Sequence, residues 1–226
     1  MSIRAVFKSA SAALAVMAFG ISGAIAQTCD ITELGSANGE IYLHAQNELI
    51  VNNNAAAALA GINELRAQPL NCYEEGAVLG LSAQVKLAQQ DYLGAAVDLR
   101  TSLNKGYIPA AERPNTLKAL SQIYFAENQY ADGLKFVNDW IAAGGVPNRD
   151  EKWTLATVYS IQGQYRQAVP WAEQVLAADG PNADRQVYDM LIYLYSQTNQ
   201  LEKQERLLER LSAQDPTDNT GQSSGS

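Results

Sequence analysis

The chain is poor in the residues that do chemistry. It holds two cysteines and one histidine in 226 residues, and that set makes no tetrahedral metal site at any familiar spacing. There is no G-x-S-x-G, no glycine loop that would cradle a phosphate, no H-E-x-x-H and no cysteine beside a plausible base. These absences argue against an enzyme, and no cofactor is expected. A hydrolytic activity that followed a single carboxylate would reverse that expectation. Positive charge is also short. The formal net charge is -8, which leaves no electrostatic footprint for nucleic acid or anionic lipid. Prolines are few and fall between periodic segments.

What is present is alanine, leucine, glutamine and tyrosine, a composition suited to helices. The first 26 residues stand apart. Arg4 and Lys8 precede a run of small and apolar residues, and Ala24-Ile25-Ala26 forms an A-x-A cleavage site. This reads as a secretory signal peptide ending at Ala26/Gln27. The run is short and broken by Gly20 and Gly23, so a membrane span is disfavoured. Thr28 before Cys29 lacks the small residue that lipidation requires. The expectation is an exported, soluble chain in a bacterial periplasm. Loss of Arg4 and Lys8 takes its charge from -8 to -10. In an oxidising compartment Cys29 and Cys72 are the candidates for one disulfide, with two free thiols as the competing reading. A closed loop of roughly 40 residues is worth roughly 3–4 kcal/mol.

From there the chain repeats. In KWTLATVYSIQGQYRQAVPWAEQVLAA (residues 152–178), Leu155, Ala156, Tyr159, Ala168, Ala172 and Val175 space as two interlocking helices, with Gly163 at the turn. The spacing from Tyr92 to Tyr130 is 38 residues, from Tyr130 to Tyr165 and from Tyr124 to Tyr159 it is 35, and from Tyr159 to Tyr195 it is 36. A period near 34 with small insertions implies stacked helix hairpins. The hairpins are expected at Gly39–Val51 with Ala55–Arg66, Glu75–Ala88 with Tyr92–Leu103, then residues 115–143, 152–178 and 184–212. Asn52-Asn53-Asn54, Gln89-Gln90-Asp91 and Glu127-Asn128-Gln129 are the turns. Gly106 is a C-cap. Pro170 predicts a bend or a late helix start. Leu201, Leu208 and Leu211 are placed in the core of the last hairpin, whose charged outer face would cap the stack. Residues 27–38 are expected to be extended, 39–213 to form the solenoid and 214–226 to be a disordered polar tail.

These positions resemble the tetratricopeptide-repeat family. The resemblance implies an all-α, right-handed superhelical solenoid of about five hairpins whose first helices line a docking groove. Carried onto this chain, the lining is His44, Asn47, Gln84, Leu87, Lys118, Gln122, Phe125, Trp153, Thr157, Ser160, Met190 and Tyr193. Amides there can pair with a peptide backbone and aromatics can hold its side chains. Phe125 and Trp153 have the alternative role of packing between helices. Lys118 is the groove's one cation, too few for a grip on an acidic C-terminal tail.

The segments LNCYE, QDYLGAAVDLRTSLNKGYIP, LSQIYFAENQYADGLKFVNDWI and VYDMLIYLYSQTNQLEKQERLLERL are similar to periplasmic tetratricopeptide proteins associated with TonB-dependent uptake. That resemblance implies envelope partners, the TonB/ExbB/ExbD components among them. An assembly adaptor for the outer membrane or cell wall is the alternative.

Overall fold

The structure, a computed structural model, describes residues 33–214. The expected signal peptide, Cys29 and all of the tail but Gln214 lie outside that range. Ten α-helices and one short 3-10 turn fill it, with no strand among the described residues. The helices are α1 Ser36–Ile50, α2 Ala55–Arg66, α3 Cys72–Ala88, α4 Tyr92–Asn104, α5 Arg113–Ala126, α6 Tyr130–Ala142, α7 Arg149–Ile161, α8 Tyr165–Asp179, α9 Arg185–Gln197 and α10 Leu201–Gln214. The all-α hairpin stack expected from the period is therefore present. It divides into two units, one ending at Gly145 and the other beginning at Val146.

Each hairpin turns by the same device. Gln90, Asn128, Gly163 and Asn199 have φ between 58° and 69°. Glycine and asparagine tolerate this left-handed backbone best. The next residue returns its N–H to the helix just ended, as Gln129 N–H does to the Tyr124 carbonyl at 2.8 Å and Gln164 N–H to that of Tyr159 at 2.8 Å. This closes the orphan carbonyls. One residue later the second helix begins.

In the first unit α1 to α6 pack in chain order. Ala45, Ala58, Ile62, Leu65, Leu81 and Val85 form a sealed core at one end. Gly61 lets α2 approach α1, since a Cβ there would stand 2.7 Å from that of Ala45. Gly133 does the same for α6, where Phe125 fills the space. Lys86 takes the place that tyrosine holds in the later hairpins. It reaches the buried Asp98 at 2.7 Å and donates to the Gly94 carbonyl at 3.3 Å. Asp98 Oδ2 receives no well-aligned hydrogen bond, so this pair is held by charge.

In the second unit α7 packs on α8, α8 on α9 and α9 on α10. Leu155, Ala156, Ala168, Ala172, Val175, Tyr188 and Leu191 are buried. Arg149 clasps Asp179 with two hydrogen bonds, 3.0 and 2.6 Å, tying the start of α7 to the end of α8. Those hydrogen bonds, partly offset by burial, draw the Asp179 carboxyl below its usual range.

Several expectations need correction. Helix α1 starts at Ser36, three residues before Gly39. Helix α3 starts at Cys72, not Glu75, because Asn71 and Glu74 form a capping box. Cys72 therefore sits on the first turn of α3 and not in the loop before it. The helix containing Pro170 starts on time, at Tyr165. Pro170 lies on the exposed side, so the carbonyl it orphans can be met by water. Leu201 and Leu208 are 60% and 43% exposed, while Leu207 is buried. Helix α10 packs mainly on α9 and turns Leu207 inward, while Lys203 reaches Glu173 of α8 at 2.7 Å. Tyr92, one of the tyrosines that mark the period, is 38% exposed.

Candidate docking face

The turns give the site its register. Asn47, Gln84, Gln122, Thr157 and Tyr193 each lie six residues before a left-handed turn residue, namely Asn53, Gln90, Asn128, Gly163 and Asn199. Each therefore occupies the same place on the first helix of its hairpin. Lys118 and Trp153 share another place, ten residues before the turn. Leu87, Phe125 and Ser160 share a third.

In the first unit this register puts Asn47 on α1 and Gln84 on α3. Gln122 follows on α5. Asn47 is exposed, and the two glutamines are half-buried. Among the described residues none of the three side-chain amides has a hydrogen-bond partner. An amide carries two donors and an acceptor, so three such groups at equivalent places form a run of unspent hydrogen-bonding capacity. His44 is exposed beside them on α1, and Leu87 is half-buried on α3.

Lys118 is half-buried with its ammonium 4.8 Å above the Trp140 ring, a cation–π contact that holds the side chain down on α6. Phe125, for which the sequence left groove lining and packing between helices both open, is 4% exposed and takes the packing role. Its ring lies where a Cβ on Gly133 would be, 2.3 Å away, and it stacks inside the hairpin instead of facing solvent. Two residues that sequence reasoning passed over belong to the face. Leu43 and Ile50 are 60% and 46% exposed, at the same two places as Lys118 and Phe125. Their signal was the register itself, since they stand ten and three residues before Asn53 just as Lys118 and Phe125 stand before Asn128.

In the second unit Trp153 and Thr157 are half-buried on α7. The Thr157 hydroxyl donates to the Trp153 carbonyl at 2.9 Å. Tyr193, on α9, is 45% exposed. Its ring meets Tyr165 edge-on at 5.6 Å, and its hydroxyl donates to that of Tyr165 at 3.1 Å. That bond raises the Tyr193 pKa above the usual phenol value. Ser160 and Met190 are half-buried. The aromatic edge is thus fixed in place before any ligand arrives.

The remaining titratable groups with shifted pKa serve the scaffold. Burial raises the Glu74 pKa, but hydrogen bonds from the backbones of Asn71 and Gly35 and from the Asn38 side chain outweigh it and hold the carboxyl low. Glu74 so ties the start of α1 to the start of α3. Glu75 accepts from Lys105 and, at 2.6 Å, from the Tyr107 hydroxyl, which likewise lowers its pKa. Among the described residues no group of three or more His, Cys, Asp or Glu is placed to hold a metal. No described helix is long and apolar enough to cross a membrane.

No family model and no curated protein matches the chain. Two solved structures are similar to it. One is a crystal structure of Podosopora anserina putative kinesin light chain nearly identical TPR-like repeats, 17% identical, covering 84% of this chain and 100% of that one with a TM-score of 0.46. The other is a variant of the same repeats, 17% identical, covering 81% and 97%, also with a TM-score of 0.46. The class follows from this chain's own hairpins: it is an all-α helical-repeat protein.

Proposed function

We propose that the chain is a non-catalytic scaffold that holds extended protein segments along the first helices of its hairpins. The observation that carries this reading is the repeated position occupied by Asn47, Gln84, Gln122, Thr157 and Tyr193. In the first unit it presents amides with no partner, and in the second a tyrosine edge held by its neighbour. Repeating hydrogen-bonding groups suit a backbone without regular structure, and fixed aromatics suit its side chains.

The export signal in residues 1–26 and the similarity of the later hairpins to TonB-associated repeat proteins support a periplasmic location. They also support TonB, ExbB or ExbD components as partners. A disulfide between Cys29 and Cys72 belongs to the same reading. Cys29 and Cys72 are the chain's two cysteines, and an oxidising compartment favours their pairing. The test is a crosslinked pull-down from periplasm with the chain starting at Gln27, beside the Trp153→Ala/Tyr193→Ala variant. Capture of TonB-system proteins by the first and not the second supports both partner and face. Equal capture by both retains the partner and removes the face. Capture of wall enzymes or outer-membrane assembly proteins alone replaces the transport partner with the assembly reading.

A further inference from the structure

The first unit carries a second recess, which shares the start of α5 with the docking face but none of that face's residues. It is an open groove of about 960 Å³ between α4 and α6, floored by the start of α5. Clefts that hold ligands run to about 300–1,000 Å³. Leu103, Leu117 and Phe136 give it an apolar floor. Its charged groups are Arg100, Arg113, Lys135, Asp132 and Asp139. Lys135 and Asp139 neutralise each other at 3.1 Å.

Arg100 and Arg113 are exposed, and among the described residues neither has an ion-pair or hydrogen-bond partner. In a chain of net charge -8, two unpartnered guanidiniums in one groove oppose a single unpartnered carboxylate, Asp132. That carboxylate sits in the first turn of α6, where the helix dipole favours it. Arg113 is placed the other way. It opens α5, where a cation opposes the dipole, so folding stability does not account for it.

We propose that this groove docks an acidic, extended segment of a partner protein. Two carboxylates of the segment would pair with Arg100 and Arg113, and its apolar side chains would lie on Leu103 and Phe136. Arginine suits this role because its planar fork meets a carboxylate with two parallel bonds. The assignment is independent of the docking face, since it uses none of that face's residues.

The test is fluorescence anisotropy on the full chain with a labelled peptide alternating Glu with Ala and Leu, beside its Gln-for-Glu counterpart. The Glu peptide is expected to bind and the Gln peptide to bind at least about tenfold more weakly. Arg100→Gln/Arg113→Gln should weaken the Glu peptide by a similar factor. Arg166→Gln/Arg206→Gln, which removes the same charge elsewhere, should change it less than about twofold. Both arginines of the groove are solvent-exposed, and an unchanged circular dichroism melt verifies the fold. The Arg100→Lys/Arg113→Lys variant, which keeps the charge but loses the fork, should bind more weakly than the wild type and more tightly than the Gln variant. No binding to the wild-type chain, equal binding of the two peptides, or equal losses in the two Gln variants would each overturn the assignment. Tyr193→Ala should leave this affinity unchanged, so the outcome does not depend on the proposed docking face.

Discussion

Replacing Gly133 by alanine isolates the packing logic of the third hairpin. In a helix interior, glycine to alanine is worth about 1 kcal/mol of stability on propensity alone. At Gly133 the added Cβ would lie 2.3 and 2.4 Å from two carbons of the Phe125 ring, where an unstrained contact is about 3.5–4.0 Å. The ring must move by about 1 Å or more in a close-packed interior. Phe125 is 4% exposed and also faces the rest of α5 and α6. Overpacking of this kind costs about 1–3 kcal/mol. The net expectation is a loss of up to about 2 kcal/mol where Gly80→Ala gains, read as a fall in the thermal midpoint of about 2–4 °C for each kcal/mol. Gly80 supplies the control. A Cβ there meets nothing within 4 Å, so Gly80→Ala should raise the midpoint. Removing the ring tests the cause, because Gly133→Ala in a Phe125→Leu background should be neutral or stabilising. If Gly133→Ala stabilises the unaltered chain as much as Gly80→Ala does, Phe125 is not wedged where the structure puts it.

Three other substitutions test the frame. Ala168 is fully buried between α7 and α8, so Ala168→Asp should cost several kcal/mol and melt the second unit. An unchanged helical signal and melt would refute its placement. Lys86→Met should cost about 3–5 kcal/mol by stranding buried Asp98, while Lys86→Met/Asp98→Leu should recover most of it. Additive losses in that double-mutant cycle would show that the pair is not coupled. The Asp179 pKa is depressed by Arg149, so its stabilisation is present above the usual carboxylate range, near pH 4, and is lost as pH falls through the folded value. Arg149→Gln should flatten the acid limb of the melting profile, and an unaltered limb would remove the clasp from the account.

Much of the fold was legible because helix hairpins punctuate their own sequence. Asn128 and Gly163 mark left-handed turns, the Asn54 side chain caps α2 as its type suggests, and the spacing between turns sets which residues share a place. The shared place of Gln84, Gln122 and Tyr193 was legible for the same reason, since each keeps step with its turn. What failed depended on volume and on neighbours. Phe125 keeps that register, but the missing side chain at Gly133 admits it to the hairpin interior. Leu201 and Leu208 follow the core spacing, but no helix lies beyond α10 among the described residues to cover them. The capping box that moves the start of α3 to Cys72 was readable in Asn71 and Glu74. The α4–α6 groove was not, since Arg100 and Arg113 meet only once a loop folds back.

The central claim is that partners lie along the first helices of the hairpins. The most direct measurement places a photo-crosslinking residue at Thr157 on α7 or at exposed Gln174 on α8, in cells. The account predicts a crosslinked TonB-system protein from Thr157 and none from Gln174. Crosslinks from Gln174 with none from Thr157 would contradict it and move the interface to the second helices.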